Sequence, residues 1–173
     1  MNVVDQRFQS TDEGIRASTR VFQRELIPSW SSSELTDILL SVVIPCYNEE
    51  LGLIELHRRV TATCKEWGDY EIILVNDGSR DRTLGIMRQL ADADPHVVVV
   101  NLSRNHGHQL ALTAGLTLAR GQRILILDAD LQDPPELLPQ MMSLMDHGVD
   151  IVYGQRRRRD GETPFKTLTA KLF

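Results

Sequence analysis

The chain has 173 residues, 42% of them apolar and 25% charged, which is enough for one domain with its own core and excludes disorder throughout. A net charge of −5 excludes a general nucleic-acid binder. It conceals an asymmetry: Arg156 to Arg159, Lys166 and Lys171, set against Asp160 and Glu162, leave residues 156–173 at +4 and the remainder at −9, so the basic end suits a phosphate or an anionic surface.

Residues 1–37 are rich in Gln, Ser, Thr and charge, with a short helix expected around Ile15 to Leu26 that Pro28 would end. They read as a flexible or partner-dependent extension, with contact in a homo-oligomer as one role. From Ile38 the pattern changes to a strand, Ile38 to Pro45, followed by the loop Cys46-Tyr-Asn-Glu-Glu50. Leu51, Ile54, Leu56, Val60 and Cys64 are spaced for a helix that lays an apolar face on a sheet. Tyr70 to Asp77 is a second strand, Gly78-Ser79 a turn, and Asp81 the N-cap of a helix carrying Leu84, Ile86, Met87 and Leu90.

Val97 to Val100 is a third strand, ending at Asn101-Leu-Ser-Arg-Asn-His106, and a helix over His108 to Ala119 is closed by Gly121. Ile124 to Leu127 is short and uniformly apolar, which predicts a strand covered on both faces. It stops at Asp128-Ala-Asp-Leu-Gln-Asp-Pro-Pro-Glu136, where the prolines start a helix through Leu137, Leu138, Met141, Met142 and Met145. Ile151 to Tyr153 is the fifth predicted strand. Strand and helix alternate throughout, so the expected class is α/β, a mainly parallel, Rossmann-like sheet with helices on both faces. The expected organisation is extension 1–37, catalytic domain 38–156, and the start of a basic amphipathic segment over 157–173. In that last segment Thr163-Pro164 opens a helix with Phe165, Leu168, Leu172 and Phe173 on one face, fit for an anionic membrane surface or for packing on its own domain.

Cys46 and Cys64 are too few for a disulfide framework and lack metal-ligand spacing, so they read as reduced packing residues of a cytosolic chain. No run approaches the roughly 18 apolar residues of a membrane helix, and no signal peptide is evident, so the chain is expected to be soluble or peripheral.

Polar residues collect where the strands stop: Asn48 and Glu49, Asn76 and Asp77, Arg104 and Asn105, Asp128 and Asp130, Gln155 and Arg156. In an open parallel sheet these ends line one crevice, which points to a ligand site. Asp128 and Asp130, two residues apart, fall roughly 6.6 Å apart on one side of an extended chain. With Gln132 as a neutral oxygen donor they suit Mg2+ or Mn2+, ions that take oxygen ligands and keep places for water and phosphate. Two loop aspartates capping the next helix are the plainer alternative. Asp77 is placed to accept from a nucleobase N–H and Glu49 to meet a ribose or the base, against plain capping and solvation. Neither Gly-x-x-x-x-Gly-Lys-Ser/Thr nor Gly-x-Gly-x-x-Gly occurs, which argues against a P-loop enzyme and the common dinucleotide fold. His106 and His108, flanking Gly107 at a helix start, could contact phosphate or substrate but read first as capping or surface residues, Asp133 reads as a general base or a cap, and Arg156 as the nearest phosphate ligand in the basic run.

Four segments carry a resemblance: Ser41-Val-Val-Ile-Pro-Cys-Tyr-Asn-Glu-Glu50, Val75-Asn-Asp-Gly-Ser79, Leu102-Ser-Arg-Asn-His-Gly-His108 and Asp128 to Glu136. Over residues 38–173 the chain resembles family-two glycosyltransferases of the GT-A fold, specifically the polyprenyl-phosphate sugar transferases such as dolichyl-phosphate mannose synthase and undecaprenyl-phosphate glucosyltransferase. The last segment, with Ser103-Arg-Asn105, is the more specific part. The resemblance implies that Pro45, Tyr47, Glu49 and Asp77 hold the nucleoside of a UDP- or GDP-sugar, with Arg104 also on the substrate. It implies that Asp128, Asp130 and Gln132 bind metal and diphosphate and that Arg156 approaches the acceptor phosphate. The implied reaction is inverting transfer of a hexose, of glucose or mannose type, to a polyprenyl phosphate at the cytoplasmic face of a membrane. That acceptor is already anionic near neutral pH, so no strong base is required, and Asp133 becomes a helix cap. Members of the group usually continue into further acceptor-site, interfacial and transmembrane segments, so a truncated catalytic domain is expected. The rival readings are a family-two enzyme with a soluble or polysaccharide acceptor, and a non-catalytic nucleotide-binding or phosphoacceptor module.

Overall fold

The computed structural model describes residues 38–155 with their side chains, and the backbone of residues 5–7, 15–20 and 156. In chain order the strands are β1 (Asp5–Arg7), β2 (Ile15–Arg20), β3 (Leu40–Cys46), β4 (Tyr70–Asn76), β5 (Val97–Asn101), β6 (Arg123–Ile126) and β7 (Gly154–Arg156). The α-helices are α1 (Leu53–Cys64), α2 (Thr83–Ala93), α3 (His108–Leu118) and α4 (Leu138–Asp146), the last preceded by a 3-10 turn at Pro135–Leu137. Two compact units divide the chain, Ser29–Pro139 on the one hand and Met1–Pro28 with Gln140–Phe173 on the other.

The first unit is built on a four-stranded sheet of order β5-β4-β3-β6, parallel throughout. Every residue of β3 and β4 is buried, which explains their continuous apolar runs. Side chains alternate between the two faces, so Val43, Ile73 and Val75 share one face, and α3 closes it through Ala111. Gly115 lets α3 come close: a Cβ there would lie 2.4 Å from Val43 Cγ1 and 2.9 Å from Val75 Cγ2. Val42, Ile44, Ile72 and Leu74 turn the other way and are buried as well. α2 packs against β4 and β5, α1 packs beside α2, and their buried residues Leu53, Leu56, Val60 and Met87 complete that second layer.

One polar cluster sits at the beginning of the central strands. The Ser41 hydroxyl donates to Glu71 Oε1 at 2.7 Å, and the Arg120 backbone N–H donates to the same oxygen at 2.8 Å. The Arg120 guanidinium donates to Oε2 through Nε at 3.1 Å and Nη2 at 2.8 Å. The Gly121 N–H in turn donates to Ser41 Oγ at 2.7 Å. This lock joins the chain leaving α3 to β3 and β4, and so fixes where β6 enters the sheet.

Four expectations are corrected. Among the described residues β6 is an edge strand, not one covered on both faces: there it pairs with β3 alone, and Ile124 and Ile126 are 45% and 49% exposed. Residues 151–153 form no strand; the ladder lies at β7, antiparallel to β2, so it belongs to the separate sheet β1-β2-β7 of the second unit. Residues 15–20, expected as helix, form β2, whose backbone groups find ladder partners in β1 and β7; residues 21–26 lie outside the described residues. α1 begins at Leu53, with Leu51 and Ile54 exposed, because the buried stripe is Leu53, Leu56, Val60 and Cys64. Among the described residues no helix is long and apolar enough to cross a membrane.

Candidate active site

A cavity of about 280 Å³ opens at the C-terminal ends of β3, β4 and β6, where ligands bind open parallel sheets. Pro45, Cys46, Tyr47 and Glu49 line it from β3 and the loop beyond, and Asp77 from the end of β4. Asn105, Gly107, His108 and Ala111 contribute from the segment after β5 and from α3, and Asp128, Ala129 and Asp130 from the turn after β6. Of the residues singled out in the sequence, Pro45, Tyr47, Glu49, Asp77, Asp128 and Asp130 therefore meet on one space. Arg104 is exposed and Gln132 is exposed, and neither lines the cavity. The side chains of Arg156 and of residues 157–173 lie outside the described residues.

The loop after β3 is interlocked with the loop after β4. The Asn48 N–H donates to Ser79 Oγ (3.1 Å), the Glu49 N–H to Thr83 Oγ1 (2.8 Å) and the Glu50 N–H to Asp81 Oδ2 (3.2 Å). In return the Arg80 N–H donates to Asn48 Oδ1 (2.9 Å) and the Arg82 N–H to Glu50 Oε2 (2.9 Å). Asn48 takes a left-handed φ of 58°, a conformation asparagine tolerates. The N-cap of α2 is Arg82 and not Asp81 as expected; Asp81, one residue earlier, accepts from the Thr83 N–H through Oδ1 at 3.0 Å, an Asx turn ahead of the helix. The interlock leaves the Glu49 side chain aimed at the cavity. Burial, with the like charges of Asp130 and Asp81 after it, raises the Glu49 pKa.

Asp77 is 3% exposed, and its two oxygens accept from the His106 N–H at 2.7 Å and the Gly107 N–H at 2.9 Å. Gly78, at φ 65°, admits the same segment: a Cβ there would lie 2.4 Å from the Arg104 carbonyl carbon and the Asn105 nitrogen. Asn76 Nδ2 adds a bond to Asn101 Oδ1 at 2.7 Å. The end of β4 is thus the anchor of the 101–107 segment.

Asp128 and Asp130 are exposed and lie past the end of β6, in a turn and not in the extended register the sequence suggested. Leu131 closes this turn at φ 61°, the Gln132 N–H donates to Asp130 Oδ1 at 2.9 Å, and the Leu131 side chain packs at Gly52, ahead of α1. Arg59 of α1 grips Glu136 in a two-point ion pair, Nε to Oε1 at 2.8 Å and Nη2 to Oε2 at 2.6 Å, which ties down the far side of the turn. No group of three or more His, Cys, Asp or Glu positioned for a metal occurs among the described residues. What the turn offers is a pair of accessible carboxylates, a donor set that fits a hard divalent cation completed by phosphate oxygens and water.

Asn105, counted among the strand-end polar residues, does line the cavity, whereas Gly107 was not assigned to the site from sequence and His108 was read mainly as a cap or surface residue. The only sign of these two was a glycine flanked by histidines between a strand end and a helix start.

The profile of glycosyl transferase family 2 matches residues 41–172. The chain belongs to that family. Among family-two relatives, the uncharacterized glycosyltransferase YkcC of Bacillus subtilis (strain 168) is 45% identical over 137 residues, covering 79% of this chain and 42% of the relative. The undecaprenyl-phosphate 4-deoxy-4-formamido-L-arabinose transferase of Enterobacter sp. (strain 638) is 44% identical over 135 residues, covering 77% of this chain and 41% of the relative. The chain thus spans about two fifths of the length of these relatives. Among solved family-two-like structures, S. aureus TarS 1-349 in complex with UDP is 26% identical with a TM-score of 0.56, covering 64% of this chain and 32% of that one. The mannosyltransferase PcManGT of Pyrobaculum calidifontis in complex with GDP-Man and Mn2+ is also 26% identical, with a TM-score of 0.51 over 57% of this chain and 29% of that one. The α/β, parallel-sheet class expected from sequence is the observed one, and it is the GT-A architecture of these neighbours.

Proposed function

We propose that this chain supplies the donor-binding half of an inverting family-two glycosyltransferase that moves a hexose from a nucleoside diphosphate sugar to a polyprenyl phosphate at the cytoplasmic face of a membrane. The observation that carries the reading is the convergence of Glu49, Asp77, Asp128 and Asp130 on one cavity at the strand ends. The donor class is supported by the UDP and GDP-Man bound in the two structural neighbours, and the acceptor class by the Enterobacter relative's undecaprenyl phosphate. In this reading Pro45, Tyr47, Glu49 and Asp77 hold the nucleoside, Asp77 also fixing the 105–107 wall, and the turn Asp128–Asp130 faces the diphosphate, with Gln132 and Arg104 at its margin. Arg156 is assigned to the acceptor phosphate. An acceptor phosphate oxygen attacks the anomeric carbon from the side opposite the diphosphate. The C–O bond to the diphosphate breaks as the new one forms, and its electron pair leaves with the nucleoside diphosphate. Mg2+ or Mn2+ held by Asp128 and Asp130 would neutralise the charge growing on that leaving group. The acceptor oxygen is already ionised at neutral pH, so the chain needs no base of its own.

Asp130→Ala tests the reading. The chain is expected to bind UDP or GDP in a Mn2+-dependent way by calorimetry, and the variant to lose at least about tenfold in affinity, the scale of removing one charged ligand. Equal affinity in both proteins, with and without Mn2+, would overturn it.

A further inference from the structure

We infer that His108 is a diphosphate-binding residue, whose ring N–H donates to a phosphate oxygen of the nucleoside diphosphate on the side of the cavity facing Asp128; this rests on the donor-site reading above. The ionisable acids lining the cavity, Glu49, Asp77, Asp128 and Asp130, repel a dianionic or trianionic diphosphate, and one divalent cation offsets only part of that charge. Among the described lining residues, His108 is the one that brings an imidazole ring N–H, a donor for an anionic oxygen, to the cavity.

Backbone donors on the same wall are already used. The His106 and Gly107 N–H groups both donate to Asp77, and Gly107 also lies 3.1 Å from Asn105 Oδ1. The His108 ring is not committed in this way. Its Nε2 lies 3.7 Å from Asp128 Oδ1, too long for a hydrogen bond, and the side chain is 51% exposed. A phosphate oxygen beside Asp128 would therefore come within reach of a donor that has no short contact with the carboxylate. Even a neutral imidazole keeps one N–H, so the assignment needs no change of protonation.

The ring's position is also fixed from behind. His108 opens α3, and the residues ahead of it are held by Asp77 and by the close approach at Gly78. Gly115 seats the same helix on the sheet. The wall that carries His108 is thus anchored to β4 at one end and to β3 and β4 along its length.

The test is binding of UDP and GDP, with Mn2+, to the full chain and to His108→Ala and His108→Gln. Uridine, guanosine and Mn2+ alone serve as controls. His108→Ala is expected to weaken the nucleoside diphosphates about tenfold, while His108→Gln, which restores an N–H donor near the Nε2 position, stays within about threefold of wild type. Nucleoside and Mn2+ affinities should not move. Unchanged diphosphate affinity in His108→Ala overturns the inference. A fall in Mn2+ affinity without nucleotide also overturns it, by making His108 a metal ligand, and an equal loss for the nucleosides does so by making it part of the base pocket. If wild-type chain binds neither UDP nor GDP, the donor-site reading fails first and this inference fails with it.

Discussion

Burial by itself would raise the pKa of Glu71, yet the bonds from Ser41 Oγ, the Arg120 N–H and the Arg120 guanidinium outweigh it and hold the carboxyl below the usual range. A folded pKa below the unfolded one means stability that is present above the unfolded value of about 4.3 and is lost as pH falls through the folded value. Glu71→Gln should therefore lower stability at pH 7 by about 2 kcal/mol, the scale of hydrogen bonds to a charged group, and flatten the acid limb of the profile. Urea unfolding at pH 7 and pH 4 measures both, and matching curves for the two proteins at pH 7 would contradict the assignment. Glu49 has the opposite sign: its raised pKa makes the ionised form a cost above that pKa, a cost that disappears on acidification. These two glutamates look alike in sequence. Strand alternation placed Glu71 inside the sheet only once the edge and the helix faces were known, whereas Glu49 could be named early because it follows a strand-ending proline. Asp77 could be named as a candidate site residue because it ends an apolar strand just ahead of the Gly78-Ser79 turn. Its bonds to the His106 and Gly107 N–H groups were not, because they join segments 29 and 30 residues apart.

At the scale of elements, hydrophobic patterning found β3, β4, β5 and β6 and the helices between them, since runs of Val and Ile bounded by Pro, Gly and Asp are strong local signals. The same signals could not separate a buried strand from an edge strand. The four apolar residues 124–127 read as covered on both sides, yet Ile124 and Ile126 face outward on a strand that among the described residues pairs on one side. α3 illustrates the reverse case, where tight packing rests on a missing side chain. Gly115→Ala pushes a methyl into Val43 and Val75 on two buried strands, and overpacking of this kind costs about 1–3 kcal/mol. Thermal unfolding should show a lower Tm for Gly115→Ala, whereas Gly85→Ala, where a Cβ meets nothing within 4 Å, should be unchanged or stabilised. Equal losses in the two variants would mean that α3 can shift on the sheet.

Across the whole molecule, the strand-end cavity and the basic end give separate handles on function. The first is assembled from the ends of three parallel strands within one compact unit, while the +4 segment 156–173 belongs to the other. If the acceptor is a polyprenyl phosphate, the chain should sediment with vesicles of anionic phospholipid, and replacing Arg157, Arg158 and Arg159 by Gln should release it, at about 1 kcal/mol per basic residue near the surface. Nucleotide binding should survive that change. A chain that ignores anionic vesicles but binds UDP or GDP would favour a soluble or polysaccharide acceptor.

Two backbone angles bear on how ready this site is. Asn48 and Leu131 are the non-glycine residues with positive φ among those described, and they stand on the two turns that carry Glu49 and Asp130. Leu131 bears the heavier penalty, because a branched side chain in the left-handed region costs roughly 1–2 kcal/mol, where asparagine is better tolerated. That cost falls on folding, before any ligand arrives, so a ligand of the cavity, a sugar nucleotide in the proposed reading, would meet turns that are already ordered and give up little of its affinity to arranging them. Resting stability and readiness to bind are therefore set against each other at the same two torsions, and selection for a sturdier chain would be expected to relax the acidic turn first.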